Sequence, residues 1–183
     1  GISTMNFNTL YQLCRRKAEG DVALEQAETM LLMPDLLGYF FTGEKKTEYT
    51  IASTTMLYNP TAGDWDWETI DAVGLPRRIF TAVEPSGTVR GSLLPDQAEE
   101  LGINQVPYAA VGSHDTASAV AGTPFESQTH AFLSSGTWSL LGLETENPWT
   151  GESSYQADFT NEGGADGKTL YLKNISGLWV VQQ

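Results

Sequence analysis

A histidine, an aspartate and a threonine occupy residues 114–116, where an apolar segment ends and a run of small residues begins. The apolar segment, residues 106–111, predicts a buried strand, and residues 116–121 predict a helix. Asp115 would then lie where a strand ends and a helix begins, a position at which α/β proteins bind ligands. Its carboxylate could accept a proton from a hydroxyl group, or it could simply cap the helix. These residues alone leave both roles open.

A second polar motif lies at residues 134–138, between two apolar segments. Its hydroxyl side chains and Gly136 predict a turn between two strands. Such a turn can offer hydroxyl and backbone N–H groups to a phosphate, and a glycine allows close approach to the backbone. An ordinary hairpin is the alternative, because the chain has no complete Walker motif. A proton-accepting carboxylate combined with a phosphate-binding turn predicts phosphoryl transfer to an alcohol.

The composition restricts the classes of partner. The 183 residues allow one domain or parts of two, and the formal net charge of −13 argues against nucleic acid and anionic membranes as partners. No segment approaches the roughly 20 apolar residues of a membrane span. The single cysteine, Cys14, cannot form an internal disulfide, and the first residues lack the features of a signal peptide. A cytoplasmic location is therefore expected.

The patterns that must position the two motifs change along the chain. Helical patterns dominate the first part, where a helix over residues 3–19 ends at Gly20 and Asp21 caps a second helix that reaches Leu31. Strands dominate the second part. They are predicted at residues 106–111, 129–134, 137–143, 155–159 and 169–172, with a helix from Ser176. This change predicts two parts, residues 1–106 and 107–183.

Several stretches of the chain resemble the FGGY family of carbohydrate kinases. They are Thr47–Thr55, Ser113–Val120, Leu133–Gly142, Thr160–Gly164 and Leu172–Trp179. The runs His-Asp-Thr-Ala-Ser and Ser-Ser-Gly-Thr-Trp at this spacing are specific to that family. The resemblance covers only the central part of such an enzyme. It implies a partial α/β fold of the actin-like (ribonuclease H-like) type, with residues 1–106 ending the first domain and residues 107–183 beginning the second.

The resemblance also implies a reaction, namely ATP-dependent phosphorylation of the C1 hydroxyl of a ketose, L-rhamnulose. L-Fuculose or xylulose is the alternative within the family, and a non-catalytic sugar- or nucleotide-binding module or a purely structural piece is the alternative outside it. The implied cofactors are ATP and Mg²⁺. Magnesium usually stays on the phosphates with several waters, so no residue is predicted as a metal ligand. The partners would be the sugar, ATP and the missing segments of the parent chain, without which this fragment is expected to be inactive.

The resemblance assigns individual roles. Asp115 would be the catalytic base and would also contact the sugar. The other sugar-binding residues would be His114, Thr116 and Asn174. The nucleotide-binding residues would be Gly136, Thr137 and Gln182. Considered without the family, His114 could equally be a packing histidine.

Overall fold

The computed structural model describes residues 2–126 and 130–181. The first part consists mainly of helices, connected by short strand pairs. The helices are α1 (Thr9–Ala18), α2 (Val22–Gln26), α3 (Met33–Thr42), α4 (Tyr49–Ser53), α5 (Trp67–Ala72) and α6 (Pro95–Leu101), with a 3-10 turn at Arg77–Ile79. The strands are β1 (Thr47–Glu48), β2 (Tyr58–Asn59), β3 (Asp64–Trp65), β4 (Val83–Glu84), β5 (Val89–Ser92) and β6 (Pro107–Ala109). Strand β1 pairs with β4 in parallel, whereas β2 with β3 and β5 with β6 are antiparallel.

Local signals explain where the first helices begin and end. Gly20 follows α1 with a φ angle of +67°, a conformation that favours glycine and stops a helix. The Asp21 side chain accepts the N–H of Ala23 at 2.8 Å and so caps α2. Helix α2 ends at Gln26, and the prediction that it reaches Leu31 is wrong. The chain there is drawn into a tertiary contact, in which the Met30 N–H donates to the Ile79 carbonyl at 2.7 Å.

The apolar faces of these elements meet in one core. Its buried members are Leu13, Leu24, Ala52, Leu57, Trp65, Ile70, Leu75, Ile79 and Phe80. Helix α4 contributes Ala52, which is fully buried in this core. The other face of α4 is thereby directed towards the second part.

The second part is built around a four-stranded antiparallel sheet. Its elements are α7 (Asp115–Ala121), β7 (Phe132–Ser135), β8 (Trp138–Thr145), α8 (Glu152–Gln156), β9 (Phe159–Gly163), β10 (Thr169–Ser176) and a 3-10 turn at Leu178–Val181. The strand order is β7-β8-β10-β9. Helix α7 packs Ala117 and Val120 against one face, where they meet Phe132, Leu170 and Leu172.

Gly142 in β8 shows how tightly these strands pack. A Cβ atom at this position would lie 2.6 Å from the Leu172 Cβ and 2.8 Å from the Phe132 ring. Glycine in a strand costs conformational entropy, but only a residue without a side chain fits beneath these two neighbours.

One predicted strand is shorter and more exposed than expected, and another is wrong. The apolar segment at residues 106–111 forms a strand only at Pro107–Ala109, and it is not buried, since Val106 and Val111 are 49% and 65% exposed. Strand β6 pairs with β5 in a sheet of two strands, and helix α3 packs against both of them. Residues 155–159 do not form a strand, because α8 extends to Gln156 and β9 begins only at Phe159. The Gln156 side chain donates to Glu152 at 2.9 Å, a pairing typical of a helix.

The remaining strand predictions hold with shifted ends. The strand predicted at 129–134 is Phe132–Ser135, with Thr129 outside the described residues. Strand β10 extends through Ser176, so the predicted helix from that residue is the short 3-10 turn that follows. The division of the chain into residues 1–106 and 107–183 remains a prediction.

Helix α4 and strand β9 connect the two parts of the chain. The backbone N–H of Gly163 donates to the Ser53 hydroxyl at 2.7 Å, and a Cβ on Gly163 would lie 2.7 Å from the Tyr49 ring. The Ser3 N–H donates to the Thr160 hydroxyl at 2.9 Å on the same strand. These contacts fix the opening between the N-terminal residues, α4 and the sheet. Within residues 2–126 and 130–181, no helix is both long enough and apolar enough to cross a membrane.

Candidate active site

A cleft of about 430 Å³ lies in this opening. It brings together almost all of the residues that the sequence indicated as functional. Those that line it are His114, Asp115, Thr116, Gly136, Thr137 and Asn174. They come from three elements that are remote in the chain, namely the start of α7, the β7–β8 hairpin and β10. Gln182 lies outside the described residues, so its predicted role stays a prediction.

Asp115 presents its carboxylate to the open cleft. It is the first residue of α7, and its side chain is 96% exposed. Oδ1 accepts the N–H of Thr116 at 2.7 Å, so the carboxylate binds a backbone group in the first turn of α7. The N-cap position itself is occupied by His114 and not by Asp115. The Asp115 carboxylate is therefore held in place by one backbone hydrogen bond and is still open to the cleft. A general base needs both properties.

The loop before Asp115 is held by a buried carboxylate from β1. Glu48 is 1% exposed, and its oxygens accept the N–H and the hydroxyl of Ser113 at 3.1 and 2.7 Å. They also accept the Thr50 N–H at 2.9 Å, the Thr50 hydroxyl at 2.6 Å and the Ser86 hydroxyl at 2.6 Å. Burial alone would raise the pKa of Glu48, but the hydrogen bonds from Ser113, Ser86 and Thr50 outweigh burial and lower it.

Glu48 is also linked to His114, the residue before Asp115, through the side chain of Thr50. The Thr50 hydroxyl donates to Glu48 and accepts the backbone N–H of His114 at 3.0 Å. The Glu48 N–H itself donates to Asp35 at 3.0 Å, and the buried Asp35 is paired with Arg90 at 2.8 Å. The backbone N–H groups of Ser113 and His114 are thus tied to a charged network in the first part of the chain.

Glu162 is a residue of the cleft that the site prediction missed. It lies in β9, and its Oε2 atom is 3.4 Å from Nδ1 of His114. Burial, followed by the negative charge of Asp115, raises the pKa of Glu162 to about 7. Burial lowers the pKa of His114, although Asp115 and Glu48 partly counteract this. The sequence did offer one sign of this residue, because Glu162 is an acidic residue directly before the glycine pair at 163–164.

The β7–β8 hairpin carries the predicted phosphate-binding turn at Gly136 and Thr137. The Gly136 N–H already donates to the Trp138 carbonyl at 2.7 Å, so the turn has one fewer N–H group to offer than the sequence suggested. Gly136 has no positive φ angle, and a Cβ there would meet only the Trp138 carbonyl, at an ordinary 3.6 Å. Neither conformation nor packing requires this glycine, and the next residue, Thr137, is exposed.

Asn174 completes the far wall of the cleft. It lies in β10 opposite Leu140 of β8 and is half-buried. Its amide can donate and accept, which suits a sugar hydroxyl. None of the residues lining this cleft is lysine or arginine, and the described residues contain no cluster of three His, Cys, Asp or Glu that could hold a metal. The lining therefore offers hydrogen-bond donors and acceptors that suit a hydroxylated ligand.

The comparisons with known proteins agree with this arrangement. Residues 1–122 match the model of the "FGGY family of carbohydrate kinases, N-terminal domain". The chain is 43% identical over its whole length to the rhamnulokinase of Bacteroides thetaiotaomicron and 44% identical to that of Pectobacterium atrosepticum. It spans only 38% and 36% of the length of these two relatives.

Solved structures show the same fold. The ligand-bound xylulose kinase from Lactobacillus acidophilus superposes with a TM-score of 0.85 at 18% identity, over all of this chain and 37% of that one. The gluconate kinase from the same organism gives a TM-score of 0.84, also at 18% identity, over 99% of this chain and 36% of that one. The partial α/β sugar kinase fold that the motifs implied is confirmed.

Proposed function

We propose that this chain, which belongs to the FGGY family of carbohydrate kinases, is the central part of an ATP-dependent kinase that phosphorylates the C1 hydroxyl of L-rhamnulose. The longer protein is called the parent protein below. The observation that carries the proposal is the shared cleft, in which the exposed Asp115 carboxylate and the Gly136–Thr137 turn face the same space. The names of the relatives at 43% and 44% identity support L-rhamnulose as the sugar.

In this proposal Asp115 acts as the general base. Its carboxylate takes the proton of the sugar hydroxyl, which makes the oxygen a better nucleophile. Ser113 and His114 contribute through their backbones, since Glu48 and Thr50 hold them in place and thereby aim the carboxylate. His114, Thr116 and Asn174 offer donors and acceptors that orient the other sugar hydroxyls.

The nucleotide would lie against the hairpin. The Thr137 hydroxyl donates to a phosphate oxygen, and the space beside Gly136 admits that oxygen close to the backbone. When bound, ATP would supply the phosphoryl group, and magnesium, which keeps several waters, would be held mainly by the phosphates. Residues 1–106 and 107–183 would supply the walls on either side, and the chain alone would be inactive without the rest of the parent protein.

The reaction is tested by measuring ADP release from the parent protein with three ketoses. We expect the highest kcat/KM with L-rhamnulose, lower values with L-fuculose and xylulose, and no release from the 183-residue chain by itself. A parent protein that prefers another of these sugars would contradict the substrate, and one that binds sugar without releasing ADP above background would be a binding module.

The nucleotide site is tested by replacing Thr137 with valine, which keeps the shape of the side chain and removes the hydroxyl. We expect the KM for ATP to rise about tenfold, as for the loss of one hydrogen bond to a charged group, while the KM for sugar stays unchanged. Ser135→Ala is the matched control, because its hydroxyl belongs to the same hairpin but does not line the cleft. Equal effects of the two variants on the KM for ATP would contradict the assignment.

A further inference from the structure

Glu162 and His114 form a buried pair beside Asp115 that the proposed reaction does not use. The side chains of Glu162 and His114 are 11% and 19% exposed. Glu162 Oε2 and His114 Nδ1 lie 3.4 Å apart, and neither atom has a hydrogen-bond partner among the described residues. Two buried polar atoms that face only each other require an explanation.

The positions of the protons follow from the third member of the group. Nε2 of His114 lies 3.5 Å from Oδ1 of Asp115, and an exposed carboxylate only accepts hydrogen bonds. The favourable arrangement places the ring proton on Nε2, which leaves a lone pair on Nδ1. The Glu162 oxygen opposite that lone pair must then carry a proton. The groups therefore form a line, with a carboxylic acid, a neutral imidazole and a carboxylate in that order.

We propose that Glu162 is a positioning residue that donates its proton to Nδ1 of His114 and thereby holds the Nε2–H group towards Asp115 and the sugar. The other charges that act on this pair are Asp115 at the start of α7 and Glu48 in β1, and both are negative. Burial, followed by the negative charge of Asp115, favours the neutral form of Glu162, whereas Glu48 acts on His114.

The separation of 3.4 Å is about half an ångström longer than a good hydrogen bond. Hydrogen bonds in active sites are often long before the substrate binds and shorten in the complex. A sugar hydroxyl that accepts the Nε2–H would favour the tautomer in which Nδ1 accepts the proton of Glu162, and so strengthen the bond across this gap. The role towards the sugar rests on the proposed function, whereas the arrangement of the protons does not.

The proton arrangement is tested by NMR on the parent protein labelled with ¹⁵N-histidine, with the His114 signals assigned by their loss in His114→Asn. Because the pKa of Glu162 lies at about 7, we expect the Nε2–H tautomer to dominate below that pH. As the pH rises, Glu162 becomes a carboxylate and draws the proton to Nδ1. In Glu162→Gln the amide N–H donates to Nδ1 at every pH, so the change of tautomer should disappear.

Sugar affinity provides the second measurement, by calorimetry with L-rhamnulose and no nucleotide. We expect Glu162→Gln to bind within about threefold of the wild type and Glu162→Leu to bind about tenfold more weakly. Glu144→Leu is the matched control, since Glu144 lies 3.1 Å from His130 outside the cleft and should leave affinity unchanged.

A change of tautomer that persists in Glu162→Gln, or wild-type sugar affinity in Glu162→Leu, would overturn the inference. Glu162→Gln preserves the shape of the side chain, so the NMR result decides the question even if the leucine variant does not fold. If the wild-type protein itself binds no L-rhamnulose, the proposed substrate fails, and the NMR titration still decides the role of Glu162.

Discussion

Replacing Asp115 with asparagine is expected to lower kcat of the parent protein by about 100- to 10,000-fold, the usual contribution of a general base. Asparagine keeps the shape of the side chain and an oxygen that can accept the Thr116 N–H, which Asp115 now accepts at 2.7 Å. The anchor at the start of α7 is therefore retained, while the group that takes the proton is lost. Steady-state rates of ADP release measure the change in kcat, and calorimetry shows whether sugar binding stays within about threefold.

A matched control separates this effect from a general loss of charge. Asp96 lies in the first turn of α6, is exposed and does not line the cleft, so Asp96→Asn should leave kcat unchanged. The assignment of the base would be wrong if Asp115→Asn retained more than about a tenth of the wild-type kcat. It would also fail if the loss came entirely from weaker sugar binding, because Asp115 would then be a binding residue only.

Replacing Glu48 with glutamine is expected to destabilise the protein by about 3 kcal/mol, in the range for losing buried hydrogen bonds to a charged group. Both carboxylate oxygens of Glu48 accept several N–H and O–H groups, and an amide would direct two N–H donors at some of them. Urea unfolding, followed by tryptophan fluorescence, measures the loss.

The pH dependence of the free energy of unfolding also tests the role of the Glu48 carboxylate. The pKa of Glu48 in the folded protein lies below its ordinary value of 4.5. Its contribution is therefore complete above about pH 4.5 and is lost as the pH falls through the lower pKa of the folded state. Wild type and Glu48→Gln should differ most at neutral pH and converge in acid. A difference that grows as the pH falls would contradict the role assigned to this carboxylate.

The link between Glu48 and catalysis is tested by two single hydroxyl deletions. Ser86→Ala and Ser113→Ala each remove one hydroxyl that donates to Glu48, at 2.6 and 2.7 Å. We expect similar losses of stability, about 1 kcal/mol each. Only Ser113 belongs to the loop that ends at Asp115, so only Ser113→Ala should also reduce kcat. Equal kcat values for the two variants would show that Glu48 does not aim the base.

Features that depend on residues close together in the chain could be predicted from the sequence. Asp21 as a cap, Gly20 after α1 and the turn at Gly136 were predictable, because capping and turn formation involve groups only a few residues apart. Almost all of the site residues that the family motifs indicated line the cleft. Their chemical roles remain predictions, because proximity to a cleft does not establish what a side chain does there.

Contacts between residues far apart in the chain depend on tertiary packing and could not be predicted from local patterns. Apolar residues at 106–111 could not indicate burial, because burial depends on what packs over a segment, and Val106 and Val111 at its two ends stay largely exposed. The contact of Glu48 with Ser113 spans 65 positions, and that of His114 with Glu162 spans 48, so no local pattern could announce either one. Local interactions form the helices and turns of this protein. Long-range packing brings the buried Glu162 next to His114 and holds the loop before Asp115 against Glu48.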